Sequence, residues 1–156
     1  MIQIEVPGWR TLELRHLVLD LNGTVSLDGE PIAGMGALVT ALSAHVAVHL
    51  ATADTHGQAQ RTSQQLDCHL IRIEPRYEAS QKRALVEQLG AAHVAAVGSG
   101  ANDARMLAAA ALGIAVLGHE GLAVETLQAA DVVVSCIEDA LDLLLHPQRL
   151  LATLRR

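Results

Sequence analysis

Asp20 closes the apolar run His-Leu-Val-Leu-Asp and is followed by Leu-Asn-Gly-Thr. A carboxylate where a buried strand hands over to a glycine-containing loop has the chemistry of a nucleophile or a metal ligand. Asn22 stands two places on, where an acid–base pair would want its second carboxylate. Two further polar groups also follow apolar runs. Thr52, Asp54, Thr55 and His56 come after residues 46–51, and Gly-Ser-Gly-Ala-Asn-Asp comes after 94–97, with Asn102 and Asp103 opening a helical stretch. Taken singly, each group is also what helix caps and βα turns are made of. Together they lie at the same ends of three strands, and open parallel sheets bind ligands beyond those ends.

The elements that must position these residues are legible from hydrophobic patterning. Apolar runs at 17–21, 46–51, 70–73, 94–97, 112–117 and 132–134 alternate with helical spacing at 36–45, 57–66, 79–89, 102–110, 122–129 and 137–145. Strands apolar on both faces, alternating with helices, predict an α/β fold: a three-layer, doubly wound parallel sheet covered on both sides. Ile2, Ile4, Leu12 and Leu14 alternate with polar neighbours around Pro7-Gly8, which predicts an N-terminal β-hairpin at one edge. A second small hairpin is expected after Asp20, with Asp28-Gly29 as its turn, and helical spacing resumes after Pro147. With no repeat or linker, residues 1–156 read as one domain.

Several chemistries are excluded. Gly98 and Gly100 begin a glycine pattern, but Asp103 stands where a dinucleotide fingerprint needs its third glycine, and no acidic residue ends the next strand. Neither a nucleophile elbow nor a Walker A sequence is present. His45 and His49 straddle a helix end and a strand, which is no zinc spacing. A net charge of −6 with scattered Lys and Arg argues against nucleic acid or an anionic membrane as the main partner. The longest apolar run, 106–117, is interrupted by Gly113 and too short to span a bilayer, and the N-terminus lacks the pattern of a secretory signal. Cys68 and Cys136 form no C-x-x-C motif and read as buried, reduced thiols, in keeping with a cytoplasmic location.

Five segments in order carry a family resemblance: DLNGT, LATADTHGQA, ASQKRALVEQLG, VGSGANDARMLAAAALGIAV and AADVVV. From about residue 17 to residue 145 the chain resembles the haloacid dehalogenase-like (HAD) superfamily. Within it, the chain is most similar to the soluble phosphorylation domain of P-type ATPases. The resemblance implies phosphoryl transfer through an aspartyl-phosphate. Asp20 would be the nucleophile and Thr52 would hydrogen-bond a phosphoryl oxygen. Lys82 would neutralise developing charge, and backbone N–H groups of residues 21 to 23, Gly23 among them, would complete a cradle with Ala53 nearby. Mg²⁺ would be bound by Asp20, the backbone carbonyl of Asn22 and acidic groups near Asp103, with Ser99 at the position of a direct carboxylate ligand.

The departures from the family pattern define the expected activity. Asn22 replaces the aspartate that family phosphatases use to protonate the leaving oxygen and activate water, so low turnover is expected. Ser99 replaces a metal-binding aspartate. His56 is a candidate substitute acid/base, and Asp54 fits either the T-G-D aspartate of the ATPases or a helix cap. His119 and Glu30 read as solvated loop residues. The intervals from Asp20 to Thr52 and from Thr52 to Lys82 are too short for an inserted cap domain, so a small phosphorylated molecule or an accessible macromolecular phosphate is the implied substrate. A homo-oligomer is expected, with the N-terminal hairpin and Trp9 as one contact. Two alternatives stand beside the hydrolase: a catalytically degenerate phosphate- or partner-binding module, and dehalogenase-type displacement at carbon.

Overall fold

The structure is a computed structural model and describes residues 1–54 and 57–156. The main sheet has six parallel strands: β3 (His16–Asp20), β6 (Ala47–Thr52), β7 (His69–Arg72), β8 (Val94–Gly98), β9 (Leu112–Val116) and β10 (Val132–Val134), in spatial order β10-β9-β8-β3-β6-β7. Every residue of β8 and β9 is buried, as the continuous apolar runs require of strands covered on both faces. From β3 the chain builds outward through β6 to β7, then returns to β3's other side and builds outward through β8 to β10. The reversal leaves a crevice at the carboxyl end of β3, between its two neighbours.

One face of the sheet is covered by α1 (Met35–Ser43), α2 (Gln58–Leu66), α6 (Ile137–Leu145) and α7 (Pro147–Leu154), which pack with Leu17, Leu19, Val48, Leu50 and Val97 in one core. The other face is covered by α3 (Glu78–Gln88), α4 (Ala104–Ala109) and α5 (Val124–Ala129), around Val18, Ala51, Val86, Val94, Ala96 and Met106. The alternation along β3 (Leu17 and Leu19 to one side, Val18 to the other) fixes which face receives Asp20. It falls with Val18, on the side of α3 and α4.

The N-terminal hairpin is present. β1 (Ile2–Glu5) and β2 (Thr11–Leu14) pair antiparallel from Ile2↔Leu14 to Glu5↔Thr11. Its apolar residues are buried in the first core, and α7 packs on β1. Trp9 is half-buried against that core with the guanidinium of Arg10 3.9 Å from its ring centre, so this residue is used within the chain. The second hairpin pairs β4 (Ser26–Leu27) with β5 (Glu30–Pro31), and its Asp28-Gly29 turn has φ of 51° and 86°. Positive φ at both positions is the type I′ geometry that Asp-Gly favours.

Two boundaries differ from the sequence reading in ways that matter for the site. The stretch expected to be helical over 102–110 is a 3-10 turn, Ala101–Asp103, leading into α4. The Asp103 side chain folds back to accept the N–H groups of Ser99 and Gly100, both at 3.0 Å, which tightens that first turn. Helix α3 begins at Glu78, one residue before the expected start, so Glu78 becomes part of its first turn. Cys68 and Cys136 are unpaired thiols, as expected, but both are only half-buried. No described helix is long and apolar enough to cross a membrane.

Candidate active site

Asp20 is delivered by the last residue of β3 and Thr52 by the last residue of β6. Lys82 comes from the second turn of α3. Its long side chain lies along the core so that only 1% of its surface is exposed, and its ammonium reaches both carboxylates. Lys82 Nζ donates to Asp20 Oδ1 at 2.6 Å and to Asp103 Oδ1 at 2.7 Å. Asp103 is fully buried: one oxygen takes the lysine and the other takes two backbone N–H groups. Thr24, also buried, donates to Asp20 Oδ2 at 3.3 Å and lies 3.0 Å from Ser99 Oγ. The arrangement is a buried cation shared by two anions, with a hydroxyl pair bracing the other side.

Three charges taken out of water are costly unless paired and hydrogen-bonded, and here each one is. Burial, and then the nearby Asp103 carboxylate, push the Asp20 carboxyl up to about 6, against the opposing pull of Lys82 and Thr24. Burial alone would lower the Lys82 ammonium. The two carboxylates outweigh it and hold Lys82 above its ordinary value.

Asp20 and Lys82 open into a cleft of about 490 Å³ lined also by Asn22, Thr52, Ala53, Asp54, Glu78, Gly100 and Asn102. Six residues given a role from the sequence therefore meet on one surface: Asp20, Asn22, Thr52, Ala53, Asp54 and Lys82. Asp103 and Ser99 lie behind that surface rather than on it, 0% and 6% exposed. Gly23 borders a neighbouring cavity of about 210 Å³ together with Thr24, Leu117 and His119. Its N–H, expected to join a phosphate cradle, donates instead to Ser26 O at 2.9 Å. Asp54 accepts the Ala59 N–H at 2.9 Å in the first turn of α2, and its own N–H donates to Thr52 Oγ1 at 3.1 Å, so a capping role is realised. His119 and Glu30 are exposed. His56 lies outside the described residues.

Two residues of the site had no role assigned from the sequence, Glu78 on the cleft wall and Thr24 behind Asp20. Glu78 sits half-buried on the cleft wall and accepts a hydrogen bond from Asn102 Nδ2, which joins α3 to the 3-10 turn. The signal for Glu78 was its spacing: a residue four before Lys82 shares its helix face. Thr24 could be found from the same logic in the loop, as the nearest hydroxyl after Asp20.

The donors on the cleft wall suit a small hard cation. Asp20 brings a carboxylate to the cleft and Asn22 lines it, while Asp103 is committed to Lys82 and to backbone N–H groups. Among the described residues no three His, Cys, Asp or Glu side chains form a ready metal cage. Mg²⁺ needs none, because it keeps several waters and binds through one or two carboxylates plus substrate phosphate.

A parallel sheet in this order, with an aspartate ending its central strand and a lysine reaching it from the helical layer on the same face, is the haloacid dehalogenase-like fold. Among solved structures, the chain is similar to 3-deoxy-D-manno-octulosonate 8-phosphate phosphatase from Moraxella catarrhalis, in complex with magnesium, phosphate and KDO. The TM-score is 0.72 and the identity 19%, covering 89% of this chain and 90% of that one. The cobalt-bound deoxy-D-mannose-octulosonate 8-phosphate phosphatase from Haemophilus influenzae gives 0.72 and 19%, over 88% and 90%. A putative HAD superfamily (subfamily III A) hydrolase from Legionella pneumophila gives 0.67 and 21%, over 90% and 87%. No family model matches the chain. The uncharacterized protein MJ0073 of Methanocaldococcus jannaschii is 50% identical over 62 residues, 40% of this chain and 67% of that protein, and the two chains belong to one family.

Proposed function

We propose that the chain is a Mg²⁺-dependent, phosphatase-type hydrolase that transfers a phosphoryl group to Asp20 and then to water. The observation that supports this reading most strongly is the Lys82 ammonium held between Asp20 and Asp103 at 2.6 and 2.7 Å, at the carboxyl end of the central strand. Phosphoryl transfer asks mainly for positioning and charge neutralisation, and this site is built for both.

Asp20 attacks phosphorus. Lys82 and Thr24 hold its carboxylate in one orientation, and Lys82 sits beside the position where negative charge develops. Thr52 presents its hydroxyl to a phosphoryl oxygen. Asp103 keeps the lysine charged and pins the 99–100 backbone, and Ser99 braces Thr24. A Mg²⁺ ion held by Asp20 and the Asn22 carbonyl, with Asp103 and Ser99 behind them, would offset repulsion between the carboxylate and the substrate phosphate. Asn22 cannot titrate, so it contributes no proton transfer to breakdown of the Asp20 acyl phosphate, and turnover is low relative to a site with a carboxylate there. In this respect the site resembles the phosphorylation domain of a P-type ATPase.

Residues 1–156 act as one unit without a cap, on a small phosphorylated molecule or an accessible macromolecular phosphate. The phosphatases among the similar structures favour a small phosphorylated substrate. A homo-oligomer would supply the missing cover. A second reading, a phosphate-binding module without turnover, draws on the loss of carboxylates at Asn22 and Ser99.

A panel of phosphate esters, with and without Mg²⁺, run on wild type, Asp20→Asn and Asn22→Asp, tests the proposal. Phosphate release that needs Mg²⁺, vanishes in Asp20→Asn and rises in Asn22→Asp supports it. Calorimetric binding of phosphate with no turnover on any ester would establish the binding module instead. Chloride release from 2-haloacids would point to displacement at carbon.

A further inference from the structure

Resting on the phosphatase reading, we propose that Glu78 supplies the proton transfer that Asn22 cannot. Lys82 marks the position of the nucleophile, because its ammonium lies 2.6 Å from Asp20 and its side chain is 1% exposed. Glu78 stands four residues earlier on α3, on the same helix face and one turn nearer the cleft mouth, where it is half-buried. One helical turn is about 5.4 Å. In-line transfer puts the leaving oxygen on the far side of phosphorus from the attacking oxygen. With Asp20 at the floor, that side faces the mouth, towards Glu78.

The carboxyl is held for this purpose. Asn102, on the facing 3-10 turn, donates its amide N–H to Glu78 Oε2, and this is the only hydrogen bond of the Glu78 side chain among the described residues. The other charged groups of the cleft are committed elsewhere. Lys82 bridges two carboxylates, Asp103 is buried behind it, Asp20 is the nucleophile, and Asp54 caps α2.

In the first step Asp20 attacks phosphorus, the ester P–O bond breaks, and the Glu78 carboxyl gives its proton to the leaving oxygen to release the alcohol. In the second, the Glu78 carboxylate takes a proton from the water that attacks the phosphoaspartate. The Asp20–phosphorus bond breaks, inorganic phosphate leaves, and Asp20 and Glu78 return to their starting states.

The test uses leaving-group dependence, which a structural role for Glu78 would not produce. kcat/KM is measured for an alkyl phosphate, whose leaving oxygen needs a proton, and for 4-nitrophenyl phosphate, whose leaving group scarcely does. Glu78→Gln should lower the first by ~10²–10⁴-fold and the second far less. Glu78→Asp should keep part of the activity, and Asn22→Asp should raise the rate more in the Glu78→Gln background than in wild type. Thermal melts matching wild type exclude misfolding. An equal loss on both esters, or no loss on either, overturns the role of Glu78 while leaving the phosphatase reading intact. No phosphate release by wild type from any ester overturns that reading and this one with it.

Discussion

At the carboxyl end of β3 a lysine is buried between two aspartates, whereas towards its amino end the buried His49 packs between the rings of His16 and His69. His16 and Asp20 lie four residues apart and point to the same face of the sheet. His16 Nδ1 is 3.2 Å from His49 Nε2, and the His49 and His69 rings stack at 5.4 Å. His49 is 8% exposed and its Nδ1 has no hydrogen-bond partner among the described residues. Burial first, then His16 and His69, lower its imidazole to about 4, so it stays uncharged at neutral pH. Away from the cleft, a buried titratable group escapes the cost of burial by losing its charge. At the cleft the charges are retained and paired, which is the more expensive solution and points to chemistry that needs them.

The sharpest way to break this contrast is to remove the shared cation. Lys82→Met keeps the volume of the side chain but leaves Asp20 and Asp103 buried without a counter-charge. Removing one partner of a buried ion pair costs on the order of 3–5 kcal/mol, to be read as a fall in the urea midpoint at pH 7, with activity lost as well. Adding Asp103→Asn to Lys82→Met should recover part of that stability, because one of the two unpaired carboxylates is then neutral. A Lys82→Met protein as stable as wild type would mean that the three groups are not buried as ions.

The two ends also predict pH dependences of opposite sign. His49 has a folded value of about 4 against an ordinary 6.5, so between those values the unfolded chain takes up a proton that the folded chain refuses. Its contribution to stability is full above 6.5 and is lost as pH falls towards 4, on the order of 3 kcal/mol in all. Asp20, raised from 3.8 to about 6, does the reverse: between those values the folded chain holds the extra proton, and stability rises as pH falls. Wild type should therefore change little between pH 6 and 4.5 through these two residues. Urea titrations across that range should show His49→Leu gaining stability relative to wild type as pH falls, and Asp20→Asn losing it. Parallel curves for all three proteins would remove the distinction between the two ends.

The sequence made one side of this comparison far more legible than the other. Six apolar runs predict six strands, and the order of Asp20 and Thr52 at strand ends, with Lys82 on a following helix, anticipates the surface they share. Patterning cannot say which way a polar side chain turns at the end of its element. Asp103 therefore looked available to a metal, although its oxygens face Lys82 and two backbone N–H groups. Glu78 escaped notice because the helix was expected to begin one residue later, which hid its spacing from Lys82. The three histidines lie 20 or more residues apart in sequence, and only strand order and register make them neighbours. The alternating pattern of the N-terminal hairpin gave its two strands but not what they pack on: its apolar side closes the chain's own core.

The smallest expected effect separates packing from chemistry at the charged end. A Cβ on Gly98, the last residue of β8, would stand 2.5 Å from Asp103 Cγ, and one on Gly113 in β9 would stand 2.8 Å from Leu107 O. Both contacts are too short to hold, so Gly98→Ala and Gly113→Ala should each destabilise the protein by about 1–3 kcal/mol through overpacking. Only at Gly98 does the displaced group belong to the ion cluster, because moving Asp103 loosens its hold on Lys82 and on the backbone N–H groups of Ser99 and Gly100. Gly113→Ala should therefore keep its phosphate release per folded molecule, while Gly98→Ala loses most of it at a similar melting temperature. Equal activity in the two variants would show that the close approach of β8 to Asp103 serves packing alone, and that the lysine holds its two carboxylates without help from the backbone behind them.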